Sequence, residues 1–158
     1  MEIKMQFQNW EDRRKFLGEL QDAIGEQFGF ENYNVYVFGS FITEQYRDGE
    51  SDIDIAVYSP QWELMREIVD FIHEYMEYIN FPCDVILIDV SHKHAYVDLE
   101  PLLHGIAFTD FTTEDLEIYK RSLFISNLWK NEEKRWIQGL FPYKHTDGTL
   151  EYSERKIS

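Results

Sequence analysis

Residues 37–57 read VFGSFITEQYRDGESDIDIAV, and this stretch decides both the fold class and the chemistry to expect. A β-prone run ends at Gly39-Ser40, and a second apolar run begins at Ile53. Between them lies a polar segment in which residues 41–47 are predicted as a short helix and Asp48-Gly49 as a turn. The pattern predicts two strands joined by a polar loop.

Amphipathic segments surround these two strands. Apolar residues at helical spacing predict a helix over residues 10–28, with Asn9 as its N-cap and Gly29 as its end. Helices and strands alternate along the rest of the chain, which predicts an α/β arrangement around a small sheet. The other predicted elements are a strand over 35–38, a strand over 53–58, a helix from Ser59-Pro60 to Ile79, a strand over 84–90, a short helix over 99–105, an edge strand over 106–108 and a helix from Thr112 to about Ile137.

The composition excludes several functional classes. The chain has 158 residues with 15 basic and 30 acidic side chains, a net charge of −15. Because phosphate contacts need a basic surface, we expect no nucleic-acid partner. The single cysteine, Cys83, cannot form an internal disulfide, which favours a reducing, cytoplasmic compartment. No leader and no apolar run of ~18 residues is present, so neither a signal peptide nor a membrane span is expected.

The Gly39-Ser40 pair is a candidate phosphate-binding turn. Glycine lets a ligand approach the backbone closely, and N–H groups at the start of a helix favour an anion. The Ser40 hydroxyl adds a donor for a phosphate oxygen. Many strand–Gly–Ser turns bind nothing, so the pair carries weight only in combination with other residues.

Asp52 and Asp54 are candidate metal ligands. Residues two apart in a strand point to the same face, so the two carboxylates lie side by side and repel each other. A divalent cation relieves that repulsion, and Mg²⁺ typically takes one or two carboxylates plus substrate phosphates. The simpler alternative, and the commoner one for an isolated Asp-x-Asp, is a turn cap followed by a solvent-facing strand residue.

Asp84 makes the metal-site interpretation of Asp52 and Asp54 stronger. It begins the next predicted strand, and if that strand pairs with residues 53–58, a third carboxylate joins Asp52 and Asp54. Three acids beside a phosphate-binding turn are what two-metal phosphoryl transfer requires. A strand-initiating carboxylate that bonds nearby N–H groups is an equally good reading of Asp84 alone. Asp89 is predicted as a turn residue.

At these residues the sequence resembles the polymerase-β-like nucleotidyltransferase superfamily, over about residues 10–109. The resemblance rests on Gly39-Ser40, the loop that follows, the Ser51-Asp-Ile-Asp54 run and Asp84. It implies an α/β (α+β) fold with a small mixed sheet and helices mainly on one face. Together with the sequence pattern after the core, this predicts a nucleotidyltransferase core over residues 1–110, a helical appendage over 111–141 and a loosely ordered tail over 142–158.

The resemblance implies Mg²⁺-dependent transfer of a nucleoside monophosphate, AMP in the simplest case, from ATP or another nucleoside triphosphate to a hydroxyl. Asp52 and Asp54 would ligate both Mg²⁺ ions, which Mn²⁺ could replace, and Asp84 would ligate the catalytic ion and help deprotonate the acceptor. Gly39 and Ser40 would hold the β- and γ-phosphates. Small members resemble antitoxins that modify a HEPN ribonuclease toxin, and others modify cationic antibiotics, so a protein toxin or a cationic small molecule is the expected acceptor.

One departure from the family pattern concerns charge. Small members often follow Gly-Ser with basic residues, whereas here Arg47 is the first basic residue of the loop and Glu44 precedes it. Arg47 is therefore a candidate phosphate ligand, with an exposed loop arginine as the simpler alternative. The poorly basic loop also keeps a second function open, that of a non-catalytic binding protein with the same fold.

Other side chains are better explained structurally. A solvated loop is the simpler reading of His92 and His94, although they could pair as ligands. A nucleobase could stack on one of four tyrosines near the proposed site. The residues after the core could supply acceptor contacts or a homo-oligomer interface. A C-terminal aromatic set could bind a partner, although packing of the C-terminal helix onto the sheet domain is the better reading. These two sets are Tyr33, Tyr36, Tyr46 and Tyr58, and Trp129, Trp136, Phe141 and Tyr143.

Overall fold

A computed structural model of the chain describes residues 6–91, 95–137, 142–144 and 150–152, with side chains through residue 130. In this part of the chain, helices and strands largely alternate, and 3₁₀ turns lie at Gly39–Ile42 and Tyr96–Asp98. In chain order the elements are α1 (Trp10–Phe28), β1 (Asn34–Phe38), β2 (Ile53–Tyr58), α2 (Trp62–Tyr78), β3 (Cys83–Leu87), α3 (Leu99–His104), β4 (Ile106–Ala107), α4 (Glu114–Ile137), β5 (Pro142–Lys144) and β6 (Leu150–Tyr152).

Helix α1 has the bounds that its sequence predicts. The Asn9 side chain accepts a hydrogen bond from the Asp12 N–H at 2.9 Å, which satisfies one of the free donors of the first turn. Gly29 ends the helix with φ of 77°, a conformation that glycine adopts without strain. The buried face of α1 then packs against the sheet.

The main sheet is mixed and has four strands in the order β3-β2-β1-β4. β1 pairs antiparallel with β2 and with β4, and β2 pairs parallel with β3. This arrangement confirms the predicted α+β fold with a small mixed sheet. The parallel β2–β3 pair is joined by a helical crossover, α2, as parallel strands require.

The core lies on one face of the sheet. Alternate residues of β1 and β2 point to this face, where α1 and α2 cover them. The residues of these two strands and two helices in the core are Val35, Val37, Ile53, Ile55, Val57, Phe16, Leu17, Leu20, Ile24, Met65, Ile68, Ile72 and Met76.

The opposite face carries Tyr36, Asp54 and Tyr58, the residues that alternate with the core positions. On this face, the end of β2 meets the residues just before α4: the Tyr58 hydroxyl and the Thr113 hydroxyl share a hydrogen bond of 2.7 Å. Helix α3 contacts β1. Polar side chains on this second face therefore project away from the main core, which lies on the other side of the sheet.

One predicted helix, over residues 41–47, and one predicted helix start, at Ser59-Pro60, are wrong for the same reason. Residues 41–47 do not form a helix, because the Thr43 side chain hydrogen-bonds to the Ser40 carbonyl and to the Gln45 N–H, which favours a turn. Helix α2 starts at Trp62 rather than at Ser59-Pro60. The Ser59 hydroxyl donates to the Asn32 carbonyl at 2.7 Å and accepts from the Gln61 N–H at 3.1 Å, so the chain turns once more before the helix.

The third strand is shorter than predicted. It covers Cys83–Leu87, although the Ile88 N–H still donates to the Val57 carbonyl at 2.9 Å. Asp89 is a turn residue as predicted, since its Oδ1 accepts from the N–H and the hydroxyl of Ser91. His92 and His94 lie outside the described residues, so the predicted solvated loop there remains a prediction.

The chain divides into two compact units, residues 1–120 and residues 121–158. The first contains the four-stranded sheet. The second contains most of α4 and the antiparallel pair β5–β6, which the sequence did not predict. The three-part division at residues 110 and 141 remains a prediction. No helix in the described ranges combines the length and apolar character needed to cross a bilayer.

A buried carboxyl–phenol pair connects the loop before α3 to α4. Asp98 is 2% exposed, and the Tyr119 hydroxyl donates to its Oδ2 at 2.7 Å. Burial raises the pKa of Asp98, and the hydrogen bond from Tyr119 partly offsets that rise. The hydrogen bond from Tyr119 thus stabilises the charged form of Asp98 against the cost of its burial.

We predict that Tyr119→Phe lowers the free energy of unfolding by about 1–3 kcal/mol at pH 7, because a buried carboxylate loses a hydrogen-bond donor. The loss should shrink as the pH falls, since a protonated Asp98 needs the donor less. Urea denaturation at pH 7 and pH 4.5 measures both effects. Tyr78→Phe is the control, because Tyr78 is 90% exposed. Equal stability of the two variants would contradict the prediction.

Candidate active site

Asp54 and Asp84 lie side by side on neighbouring strands. The parallel register of β2 and β3 pairs Asp54 with Asp84. Neighbouring strands are ~4.8 Å apart, and paired residues project to the same face of the sheet. The structure therefore brings together these two of the three predicted carboxylates, on the face opposite the main core.

Asp52 lies just before β2 and is exposed, whereas Asp54 is half-buried. Burial raises the pKa of Asp54 most, and the charges of Asp84, Asp52 and Glu100 raise it further, in that order. Burial and then the charges of Asp84 and Asp52 raise the pKa of the Cys83 thiol to about 11. These shared effects show that the predicted carboxylates repel one another electrostatically.

Glu100, in the first turn of α3, is a fourth acid near Asp54 that the sequence analysis missed. It lies far along the chain from the Asp-x-Asp motif, in a segment predicted only as a short helix. The available signal was an acid in the next helix along the chain after the strand that carries Asp84. Glu100 adds negative charge to a cluster that already carries three acids.

Gly39 directly follows β1, whose last residue, Phe38, pairs with Asp54. Its φ is 78°, in the region that favours glycine, and a side chain at this position would overlap the Asp54 Oδ2. Ser40 follows in the 3₁₀ turn, half-buried, and its carbonyl accepts from the Thr43 N–H at 3.0 Å. The Gly-Ser pair therefore lies against the carboxylate cluster, where a phosphate-binding turn would have to lie.

Arg47 is exposed in the loop between Gly39-Ser40 and β2. Its backbone organises a turn: the carbonyl accepts from the Ser51 N–H at 2.8 Å, and the N–H donates to the Ser51 hydroxyl at 3.0 Å. Within residues 6–91 and 95–130, its guanidinium forms no ion pair with a carboxylate. Its proposed contact with phosphate remains a prediction.

Arg13 supports the Gly-Ser loop from α1, and the sequence analysis did not identify it. It is buried, and its guanidinium donates to the Phe41 carbonyl and, at 3.3 Å, to the Thr43 carbonyl. The guanidinium lies 4.6 Å from the centre of the Tyr46 ring and 5.2 Å from that of Trp10. The available signal was an arginine on the apolar face of α1, one turn before Phe16 and Leu17.

The four tyrosines considered for base stacking are largely packed. Tyr33, Tyr36 and Tyr58 are at most 8% exposed. Tyr46 is half-buried, but its ring lies under Arg13 and its hydroxyl donates to Asp48 at 2.8 Å. Burial and these contacts therefore give the four rings structural roles.

The family match covers the same elements as this cluster. Residues 30–108, half of the chain, match the family described as Polymerase beta, Nucleotidyltransferase. The chain belongs to this nucleotidyltransferase family. The match runs from just before β1 to just after β4, so it includes Gly39, Ser40, Asp52, Asp54 and Asp84 and confirms the family resemblance.

Two solved structures resemble this nucleotidyltransferase at 19% sequence identity. A mutant of the toxin-antitoxin MntA-HpeT gives a TM-score of 0.44 and is covered over 93% of its chain, and the toxin-antitoxin MntA-HepT gives 0.39 and 92%. Each comparison covers 79% of the present chain. At these scores neither structure bears on the partners of this nucleotidyltransferase. No curated protein matches the sequence significantly.

The donors of the cluster suit a hard divalent cation. Mg²⁺ prefers carboxylate oxygens, and a cation would offset both the burial and, after it, the neighbouring negative charges that raise the pKa of Asp54. In the described part of the chain, however, no three His, Cys, Asp or Glu side chains are already placed as a metal-binding group. A Mg²⁺ ion here would complete its shell with phosphate oxygens and water, as it does in many nucleotide-binding sites.

We predict that Gly39→Ala and Gly29→Ala lower stability similarly, by about 1–2 kcal/mol, because each forces alanine into a left-handed conformation. Only Gly39→Ala also displaces the Asp54 carboxylate, since a side chain at Gly29 meets open space. We therefore expect at least a ~100-fold loss of nucleotidyl transfer in Gly39→Ala alone. Urea denaturation and pyrophosphate release measure the two effects, and equal activity of the variants would contradict the second.

A second prediction concerns Arg13. We expect Arg13→Met to lower the free energy of unfolding by about 1.5–3 kcal/mol, because two loop carbonyls lose a charged donor. The KM for the nucleotide should rise as the Gly-Ser loop loosens. Arg14→Met is the matched control on the same helix, since Arg14 is exposed and its ion pair within the described part of the chain is with Glu11, one turn away on the surface. An Arg13→Met variant as stable as this control would show that the guanidinium does not support the loop.

Proposed function

We propose that this chain is an active, divalent-metal-dependent nucleotidyltransferase that moves a nucleoside monophosphate, AMP from ATP in the simplest case, to a hydroxyl acceptor. Family membership supports the reaction class. The observation that carries the proposal is the register that pairs Asp54 with Asp84 beside Gly39. A fold kept only for binding has no need for a half-buried aspartate next to two exposed ones.

The chain's own residues have separate roles in the proposed reaction. Asp52, Asp54 and Asp84 would hold Mg²⁺ or Mn²⁺, and the backbone around Gly39 and Ser40 would hold the triphosphate, with Arg47 as the nearest loop cation. The bound metal supplies Lewis-acid stabilisation of the phosphates and of the leaving group. Asp84 would take up the proton of the acceptor hydroxyl.

The reaction balances as a displacement at phosphorus. The acceptor oxygen forms a bond to the α-phosphorus, the bond from that phosphorus to the bridging oxygen of the β-phosphate breaks, and pyrophosphate leaves. The hydroxyl proton passes to the carboxylate. The chain must hold the acceptor oxygen in line with the leaving oxygen, and positioning is the main contribution that a protein makes to such transfers.

The acidic composition of the chain favours an acceptor that carries positive charge. With a net charge of −15, the chain attracts cationic molecules and repels polyanions. A protein acceptor, such as a toxin of a toxin–antitoxin pair, and a cationic small molecule both fit this charge. Among these, we propose a protein acceptor first, because the small family members that the sequence resembles act on proteins.

The second candidate is a non-catalytic binding protein of the same fold. Two observations favour it: the loop after Ser40 has Arg47 as its first basic residue, and no metal-binding group is preformed among the described residues. Thermal denaturation with ATP and Mg²⁺ or Mn²⁺ separates the two functions. At ~100 times the dissociation constant, bound nucleotide stabilises by about 2.7 kcal/mol. No shift with either metal would favour the binding protein.

We predict opposite effects of Asp54→Asn on activity and stability. The variant should lose transfer by roughly 10³-fold, since metal ligation contributes several kcal/mol to the barrier. The raised pKa means that folded Asp54 binds a proton more readily than unfolded Asp54, so its ionisation destabilises the fold as the pH rises above the ordinary aspartate range. Without divalent ions, Asp54→Asn should therefore melt at a higher temperature than the natural chain at pH 7.

The stability gain should shrink as the pH falls and vanish below about pH 3, where Asp54 is protonated in both the folded and the unfolded state. Asp70→Asn is the control, because Asp70 is exposed on α2 and removes the same charge elsewhere. Pyrophosphate release is measured with ATP, Mg²⁺ and either a cationic antibiotic panel or cell lysate as the acceptor source. An Asp54→Asn variant that keeps natural turnover, while Asp70→Asn behaves the same, would refute the assignment of Asp54 as a ligand.

A further inference from the structure

Arg13 is a buried cation whose charge is not matched by an anion among the described residues. It is 8% exposed, and its guanidinium donates to the Phe41 and Thr43 carbonyls. Within residues 6–91 and 95–130 it forms no ion pair with a carboxylate, and its Nε has no hydrogen-bond partner. A buried charge is normally paired, because its removal from water is costly. The two carbonyls offset part of that cost and leave the net charge in place.

Aromatic rings surround the Arg13 guanidinium, and the nearby acid has other partners. The guanidinium lies over the rings of Trp10 and Tyr46, and aromatic faces attract a cation without neutralising it. The Asp48 carboxylate accepts from the Tyr46 hydroxyl at 2.8 Å and from the Phe7 N–H at 3.2 Å. Asp48 is thus engaged at the hydroxyl end of Tyr46, whereas Arg13 lies over the ring.

The charge of Arg13 acts on the turn that contains the Gly-Ser pair. Thr43, whose carbonyl accepts from Arg13, donates its own N–H to the Ser40 carbonyl at 3.0 Å. Residues 37–57 contain one basic residue, Arg47, and its side chain is exposed. Solvent and salt screen a buried charge much less than an exposed one. Arg13 is therefore the better placed of these two cations to attract an anion to the turn.

We propose that Arg13 is a positioning residue for the triphosphate, and that its charge, acting through the loop backbone, holds the β- and γ-phosphates beside Gly39 and Ser40. This inference rests on the proposed function, in which those phosphates occupy the loop. The bound anion supplies the counter-charge that Arg13 lacks among the described residues. Arg13 does this without touching the ligand, because charges interact over several ångströms through a layer of low dielectric constant.

Supply of charge and support of the loop shape are separable by substitution. Arg13→Gln keeps an amide donor for the loop carbonyls and removes the charge, whereas Arg13→Lys keeps both a donor and the charge. Arg13→Met removes both and retains an unbranched apolar side chain. If Arg13 only supported the shape of the loop, Gln would replace it better than Met, and the charge of Lys would give no advantage over Gln.

The test is titration calorimetry of the full-length chain with ATP and with AMP, in the presence of Mg²⁺ and without an acceptor. We expect Arg13→Gln and Arg13→Met each to weaken ATP binding at least roughly tenfold, because both lose the same charge. Arg13→Lys should stay within roughly threefold of the natural chain. AMP lacks the β- and γ-phosphates, so its binding should change by less than roughly threefold in every variant.

Arg14→Gln is the matched control, since it removes the same charge at the next, exposed position of α1 and should leave ATP binding unchanged. Circular dichroism checks that each variant is folded, and either neutral variant that folds serves for the comparison with Arg13→Lys.

An Arg13→Gln variant that binds ATP like the natural chain, or no better than which Arg13→Lys binds, would overturn the inference. Equal losses for ATP and AMP would also overturn it. Pyrophosphate release by the natural chain, measured in parallel, reports on the proposed function. A natural chain that binds ATP and releases no pyrophosphate with any acceptor contradicts the proposed function alone, whereas one that binds no ATP contradicts both.

Discussion

Repulsion between Asp54 and Asp84 is the constraint on which the site depends. The register of β2 and β3 pairs these residues, and the crossover through α2 holds that register by burying the opposite face of both strands. A shift of one residue would turn Asp54 into the core and expose Ile53 and Ile55, so the hydrophobic pattern fixes the position of the charges. The core thus stabilises an arrangement that the carboxylates themselves oppose.

The Gly-Ser loop needs separate support, because its conformation is not regular. Gly39 has a positive φ, and the following residues make a single 3₁₀ turn before the chain leaves the sheet. Arg13 anchors the loop by its bonds to two loop carbonyls, and Phe41 packs in the core with Phe7, Phe16 and Phe81. The loop is therefore held by one cation and a group of aromatic rings, while its outer surface carries few positive charges for a phosphate.

Much of this architecture could be predicted from the sequence, and the exceptions share a cause. The bounds of α1 and β2 follow from periodicity and from local capping, which depend only on neighbouring residues. The errors at residues 41–47 and at Ser59 arose where side chains bond to the backbone across a turn or to a distant carbonyl. Arg13 and Glu100 were missed because their importance comes from residues far away in the chain, which no local pattern encodes.

Charge is distributed unevenly between the two units. Residues 1–120 include the carboxylate cluster and most of the acids, whereas α4 after residue 120 contains Arg121, Lys130, Lys134 and Arg135. Such a segment combines exposed apolar residues with both signs of charge, and therefore offers contacts that the strongly acidic remainder cannot. The acids of residues 1–120 repel polyanions and attract cations, whereas the exposed apolar side chains of α4, among them Phe124 and Trp129, offer contacts that do not depend on charge.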